Sequence, residues 1–390
     1  MCQIIKNGTV FTESAGFVRA DLVLEDGRIN RIIDAGTNEA EASFEGGSGD
    51  LVIDAGGLLV LPGMVDIHFH GCAGSDFCDG TPEAFRTIGD YEVSHGITSI
   101  CPATMTLPLE RIEEICCAAA AYAGSMPEER NFFRGANLEG PFISGKKKGA
   151  QNPAYLMEPD TEAVLGILER SGGFPKIIDI APELSGAMEF IRRISREIRV
   201  SLAHTEADYD TACAAFEAGA DHVTHLFNAM QPFLHRAPGL VGAAADRGAY
   251  VELIADGRHV HPSVIRTVFK IFGDRVVLIS DSMEATGMPD GEYALGGQKV
   301  YVRGTLATLE DGTIAGSATN LYDCMVNAIR FGVPADEAIR AASLVPAVSI
   351  GIDDRFGSIK EGKDADLVIA DRDYSIQKVL RAGEIRWEKQ

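Results

Sequence analysis

The sequence predicts an α/β chain, a (β/α)8 TIM barrel beside a small β domain that joins both chain termini. Three observations carry this. Between residues 61 and 351, eight apolar strand-like runs alternate with helix-length amphipathic segments. Before residue 60 and after residue 352 the texture is short strands and turns with no long helix. No GxGxxG opens a helix after any of the eight runs, which leaves a doubly wound open sheet as the weaker alternative. Parallel strands covered by helices read as continuous apolar runs, and eight such units make a barrel.

CQIIKNGTVFT alternates and is expected to turn at Asn7-Gly8. RADLVLEDGRINRII places Asp26-Gly27, a two-residue hairpin signal, between two short strands. Residues 36–50 are Gly-rich and acidic, the composition of an exposed loop. LVIDAGGLLVLPG reads as another strand pair. The eight runs follow: MVDIHFHG, TSICPATM, FRGANLEGPF, KIIDIAPE, RVSLAHT, DHVTHLFN, AYVELIADG and RVVLISDS. Helical segments between them include PEAFRTIGDYEVSHG, LERIEEICCAAAAYAG, TEAVLGILERSG, GAMEFIRRISREI and YDTACAAFEAG, with ATNLYDCMVNAIRFG after the eighth run. QPFLHRAPGLVG reads as a Pro/Gly-rich loop. From residue 352 FGSIKEGKDADLVIADRDYSIQKVLRAGEIRW returns to β texture. The expected division is 1–60 with 352–390 for the β domain and 61–351 for the barrel.

The 390 residues carry 35 Lys plus Arg against 57 Asp plus Glu, a formal charge of −22. That excludes broad nucleic-acid binding, which needs a dense cationic face, and docking on anionic lipid. No window offers about 18 uninterrupted apolar residues, so no membrane span is expected. The start, MCQIIKNGTVFTE, has no basic segment followed by an apolar stretch, so a cytoplasmic protein is expected. Eight Cys, none in a CxxC pair, read as reduced thiols filling apolar surroundings.

Barrel enzymes carry their chemistry at the C-terminal ends of the strands. The polar residues of these runs fall there. The first run ends in His68-Phe69-His70, and residues two apart in a strand point to one side. The third ends in Glu139, the fifth in His204, the sixth in His225 and the eighth in Asp281. A lone His at a strand end is more often structural. Six such residues on five strand ends argue for a divalent-metal centre. Imidazole and carboxylate donors suit zinc, iron, manganese or cobalt. With no thiolate at these positions, a closed structural zinc site is disfavoured.

PGMVDIHFHG, LEGPF, AHT, THLFNAM, RAPGLVG, ADGRHV and SDSMEATG together resemble the amidohydrolase superfamily. Within it they resemble the branch that deacetylates N-acetyl-D-glucosamine 6-phosphate. The resemblance runs from about residue 55 to the end, including GSIKEGKDADLVI. It implies a distorted barrel with a β sandwich built from both termini. It implies Glu139, His204 and His225 as the main metal ligands. Because His68 and His70 are both present, it also leaves room for a second ion, with Glu139 between the two. Zinc is the first expectation, with one or two divalent ions per chain. Other branches bridge their metals through a carboxylated Lys from strand four. Here Lys176 stands at the wrong end of that run, which favours the Glu-bridged branch.

The implied reaction is hydrolysis of the acetamide to D-glucosamine 6-phosphate and acetate, in breakdown or recycling of amino sugars. Asp281 is the expected general base, with a role as ligand only as the alternative. The resemblance assigns the phosphate to the Asn228-Ala229 segment, Arg236 and His259. It assigns sugar contacts to Ala150 and Gln151, where some relatives carry His, and the acetyl pocket to Ile314-Ala315-Gly316. In relatives the Arg can reach across a dimer interface, so a homodimer is implied. Lys146, Lys147 and Lys148 read first as a solvated loop.

Three other readings stand beside this. One is deacetylation of the 4-epimer, N-acetylgalactosamine 6-phosphate, or another amidohydrolase reaction. A non-catalytic scaffold with the same fold would lose its ligands, and this chain keeps them. A sugar-phosphate isomerase would not need the metal cluster. An anionic substrate requires local reversal of the −22 charge, expected from Arg236, Arg258, His235 and His259.

Overall fold

A computed structural model describes residues 3–34, 51–127 and 131–390. Eight parallel strands lie where the eight runs place them: Met64–Asp66, Ile97–Ile100 continued by Ala103–Thr104, Ala136–Leu138, Pro175–Ile180, Arg199–Leu202, His222–Val223, Tyr250–Ile254 and Val276–Ile279. Strand one pairs with strand two, and the rest pair in sequence order. Pro102 has no N–H to give and divides strand two, one source of the barrel's irregularity. Strand eight returns to strand one through backbone bonds beyond the strands themselves. The Asp281 N–H donates to the His68 carbonyl at 3.0 Å, and the His70 N–H to the Ser282 carbonyl at 2.7 Å. The barrel therefore closes at the candidate site residues.

Several outer helices start where a side chain can accept from their first turn. Thr81, Asp160, Asp208 and Asn320 cap Pro82–Ser94, Thr161–Arg170, Tyr209–Ala218 and Leu321–Arg330. QPFLHRAPGLVG is loop only up to Pro238. Gly239–Arg247 is a helix, because GLVGAAA supplies small and apolar residues that bury against the barrel.

Gly89 shows how tightly these helices pack. A Cβ built on it falls 1.7 Å from Phe132 Cζ, and that ring is buried against Phe133 with centroids 5.1 Å apart. Helix propensity favours Ala over Gly by about 1 kcal/mol, while overpacking costs roughly 1–3 kcal/mol. Gly89→Ala is therefore expected to lower Tm by a few degrees in thermal unfolding. An unchanged or higher Tm would show that the ring can move aside.

Both chain ends enter one eight-stranded sheet. Its order is Glu384–Glu388, Ile376–Arg381, Leu367–Ala370, Leu59–Pro62, Gln3–Thr12, Gly16–Glu25, Arg28–Asp34, with Leu51–Asp54 also beside Gln3–Thr12. Alternation divides its side chains between two cores. Val10, Val60, Leu367, Ile369 and Leu380 pack inside the β domain, and their neighbours Phe11, Leu61, Val368 and Val379 pack against the barrel. Asp26-Gly27 forms the expected hairpin turn with both φ positive, 49° and 77°. Asn7-Gly8 is not a turn. Asn7 takes φ 63° inside one continuous strand, and the register slips there as a bulge. LVID and LVLP do not pair with each other; each lies parallel to Gln3–Thr12. The acidic 36–50 segment and Cys2 lie outside the described residues.

One element has no counterpart in the sequence expectation. Between strand eight and Leu321–Arg330 sits an antiparallel meander, Gly291–Leu295, Gln298–Arg303 and Leu306–Thr308. Gly296-Gly297, with φ 57° and 78°, makes its first turn. Leu295, Val300, Val302 and Ala307 pack with Met105 and Met283, which hangs the meander over the barrel mouth.

Candidate active site

The six ligand-type residues follow directly on the C-terminal ends of strands one, three, five, six and eight. All are buried. His204, His225 and Asp281 take positive φ, 44°, 30° and 49°, a region that costs a non-Gly residue about 1–3 kcal/mol. The backbone is held there by the strand ends, and it turns these side chains inward.

Glu139 is the centre. Its Oε1 lies 3.0 Å from His204 Nε2, 3.2 Å from His225 Nε2 and 3.5 Å from His68 Nε2. Its Oε2 lies 3.2 Å from His70 Nε2. Asp281 Oδ1 is 3.5 Å from His70 Nε2 and 3.8 Å from His68 Nε2. All four imidazoles thus present Nε2 to one point. Three have Nδ1 beside an acceptor: His70 at the Ala103 carbonyl, 3.3 Å, His204 at the Lys147 carbonyl, 2.8 Å, and His68 at the Glu252 carboxylate, 2.8 Å. Such outer bonds orient metal ligands and fix their tautomers. His68 Nε2, fully buried, has no hydrogen-bond partner. Three sets of donors lie within 4.8 Å of one another: His68/His70/Asp281, Glu139/His204/His225 and His68/Glu139/Asp179. An orphaned buried nitrogen inside a nitrogen-and-oxygen donor set fits a divalent ion.

The charges in this set sustain each other. Burial pushes the Glu139 carboxyl up, but His68, His204 and His225 hold it well below the usual carboxylate range. Burial likewise raises Asp281, and His70 and His68 bring it below its ordinary value. Burial lowers His70, and bonds to Asp281 and Glu139 push it up to about 10.

A cavity of about 550 Å3 opens over this centre. His70, Glu139, His204, His225 and Asp281 form its floor. Ala150, Gln151, Asn228, Ala229, His259, Ile314 and Gly316 line it as well, together with Lys146, Lys147 and Lys148. The lysine run thus borders the cavity instead of a purely solvated loop. Lys147 Nζ donates to the Met230 carbonyl at 3.0 Å, which ties the run to the strand-six loop. His259 is held by Asp256, Nδ1 to Oδ2 at 2.8 Å; burial lowers its imidazole, and Asp256 raises it to a net upward shift. Three lysines and His259 thus bring cationic groups to the mouth of an acidic chain.

Gln151 lines the cavity, as expected, and its side chain is also tied to the centre. Its Oε1 accepts from the Thr106 N–H at 2.7 Å, which turns its amide nitrogen onto Glu139 Oε2 at 2.6 Å. Ala315 is buried in the meander core, and its N–H donates to the Ala307 carbonyl at 3.1 Å. The structure does not bring Arg236, His235 or Arg258 into the lining; all three are exposed. Two buried carboxylates belong to the site although no motif marks them. Glu252 sits mid-strand in strand seven and Asp179 in strand four. The signal was a carboxylate inside an otherwise apolar buried run, which must find a partner.

A model of the amidohydrolase family matches residues 59–386. The chain belongs to the amidohydrolase family. The N-acetylglucosamine-6-phosphate deacetylase of Bacillus subtilis (strain 168) is 36% identical over 390 residues, covering 98% of this chain and 96% of the relative. The N-acetylgalactosamine-6-phosphate deacetylase of Escherichia coli O157:H7 is 35% identical over 337 residues, covering 84% and 87%. Among solved structures, a Mycobacterium smegmatis N-acetyl-D-glucosamine-6-phosphate deacetylase variant in complex with N-acetyl-D-glucosamine-6-phosphate superposes with a TM-score of 0.89. It is 30% identical and covers 99% of each chain. This amidohydrolase also has, among its described residues, no helix long and apolar enough to cross a membrane.

Proposed function

We propose that this amidohydrolase removes the acetyl group from N-acetyl-D-glucosamine 6-phosphate, giving D-glucosamine 6-phosphate and acetate. The observation that carries this is the convergence of four imidazoles on Glu139 at the floor of a cavity rimmed by lysines and His259. Glu139, His204 and His225 would hold one divalent ion, and His68, His70 and Asp281 a second, with zinc the first candidate. When bound, the metal supplies Lewis acidity to the acetamide carbonyl and makes water nucleophilic near neutral pH.

The protein's own residues do the rest. Asp281 takes the proton of the attacking water as the new C–O bond forms. It then gives that proton to the nitrogen as the C–N bond breaks, since an amide anion is too poor a leaving group. Gln151 keeps Glu139 in place. Ile314 and Gly316, with Met105 and Leu295, offer an apolar wall for the acetyl methyl. His259 and the Asn228-Ala229 segment receive the phosphate. Arg236 stands on an exposed loop with Phe233 and Leu234, 50% and 53% exposed. In a homodimer that loop would serve the other copy's cavity. Seven described thiols are free, which suits the reducing cytoplasm.

The 35% identity to the galactosamine-6-phosphate enzyme favours one second reading, deacetylation of the 4-epimer. Acetate release should be measured on both 6-phosphates and on unphosphorylated N-acetylglucosamine, before and after chelation. The gluco 6-phosphate is expected to be the better epimer. Loss of the phosphate should lower kcat/KM by at least about 100-fold, two charged hydrogen bonds at roughly 1.5 kcal/mol each. Chelation should abolish turnover, and a divalent ion should restore it. Equal rates with and without phosphate would remove His259 from phosphate binding. Faster turnover of the galacto epimer would select the second reading.

A further inference from the structure

Glu252 projects from the middle of strand seven and is fully buried. Its Oε2 meets His68 Nδ1 at 2.8 Å and accepts the His225 backbone N–H at 3.3 Å. One oxygen therefore ties a strand-one ligand to the strand-six ligand loop. The other described imidazoles with an Nδ1 acceptor at the centre, His70 and His204, use backbone carbonyls that no substitution removes. His68 depends on a side chain.

A neutral imidazole has one proton to place. A carboxylate at Nδ1 keeps it there and leaves the Nε2 lone pair for the centre, with a more basic ring. The competing neighbour pulls the other way. Asn137 Nδ2, a donor, lies 3.5 Å from the same Nδ1. Without Glu252 that amide favours an unprotonated Nδ1, which puts the proton on Nε2, aimed at Glu139 and Asp281. Such a ring cannot ligate through Nε2.

We propose that Glu252 is the positioning residue for His68, and that it decides whether the His68/His70/Asp281 side of the centre takes up a divalent ion. This rests on the metal-dependent reading above. Its consequence is selective: Glu252 should govern one ion and leave the Glu139/His204/His225 side largely unchanged.

Cobalt(II) titration of the metal-free protein, followed by visible absorption and metal analysis, tests it. The wild type should take up two equivalents. Glu252→Ala should keep the first at near wild-type affinity and weaken the second by about 10–100-fold. Glu252→Gln retains an oxygen for the Nδ1 proton, so it should weaken the second ion less than Glu252→Ala does. In a His68→Ala background, Glu252→Ala should weaken the second ion far less than it does in the wild type, because its main effect runs through His68 and only the longer 3.3 Å bond to the His225 N–H remains. Wild-type two-ion binding by Glu252→Ala, equal weakening of both ions, or full additivity with His68→Ala overturns the proposal. So does a wild type that binds one ion. If Glu252→Ala fails to fold by circular dichroism, Glu252→Gln decides: selective weakening of one ion supports the role, and unchanged affinity for both overturns it. The two readings fail separately. A wild type that binds no cobalt and releases no acetate defeats the metal-dependent hydrolase itself. A wild type that does both while the Glu252 variants match it defeats only the positioning role.

Discussion

Asp281→Asn is expected to lower kcat by on the order of 10³-fold, within the range for loss of a general base, while KM changes little. The substitution should leave the geometry in place. Asp281 is 8% exposed, and its position is fixed by backbone: its N–H donates to the His68 carbonyl at 3.0 Å and its carbonyl accepts from the Ser317 N–H at 2.7 Å. An amide oxygen can still face His70 Nε2, so the centre keeps its shape. What the amide cannot do is accept the water proton and return it to nitrogen. The carboxyl is suited to that task because burial, which would raise it, is outweighed by His70 and His68. It stays ionised and beside the reacting atoms. The rival role, ligand only, predicts something different. A weakened ligand lowers occupancy, so excess metal should restore kcat. A missing base is not replaced by metal. Steady-state kinetics at rising metal concentration, with metal analysis of the purified variant, separates the two. A kcat within tenfold of wild type would take Asp281 out of the proton transfer.

Much of this site was readable before any coordinates, for a physical reason. His68, His70, Glu139, His204, His225 and Asp281 each end an apolar run, and a polar residue there stands at the mouth of a barrel. Periodicity alone therefore located them. Glu252 and Asp179 were hidden by the same logic, because they sit inside runs whose apolar character defined the strands. Their partners come from other strands, and no spacing along one segment reports that. Gln151 shows a related limit. Its place at the cavity was legible, but not that the Thr106 N–H holds its oxygen and sets its amide nitrogen on Glu139. At the termini, Asn7-Gly8 had turn residues without a turn. The positive φ of Asn7 served a bulge, because residues on both sides continue to pair with Gly16–Glu25. The meander at 291–308 escaped notice because its strands are short and its outer residues exposed. Gly296-Gly297 and Gly304 mark its turns. Yet this meander carries Leu295 to the cavity wall.

Glu139→Gln should have the largest effect of all: loss of both metal equivalents and a fall in turnover of at least about 10³–10⁴-fold, the several kcal/mol that a metal supplies. The reason is that one carboxylate serves every imidazole in the centre. Oε1 faces His204, His225 and His68, and Oε2 faces His70 and Gln151. A glutamine of the same shape presents one neutral oxygen and one N–H2. Whichever way the amide turns, a donor faces either three imidazole nitrogens or the pair formed by His70 and the Gln151 amide. The Gln151 amide nitrogen, fixed by Thr106, already donates towards Oε2, so the new N–H2 is driven towards Oε1. That is the side turned to His204, His225 and His68. The loss therefore falls on both sides of the centre together, unlike Glu252→Ala, which is expected to empty one side. Excess metal should not restore activity, because the competing donor stays in place. Metal analysis alongside acetate release at saturating zinc checks the expectation. A Glu139→Gln protein that still carries two ions, or that recovers wild-type turnover with added metal, would displace Glu139 from the centre of this site.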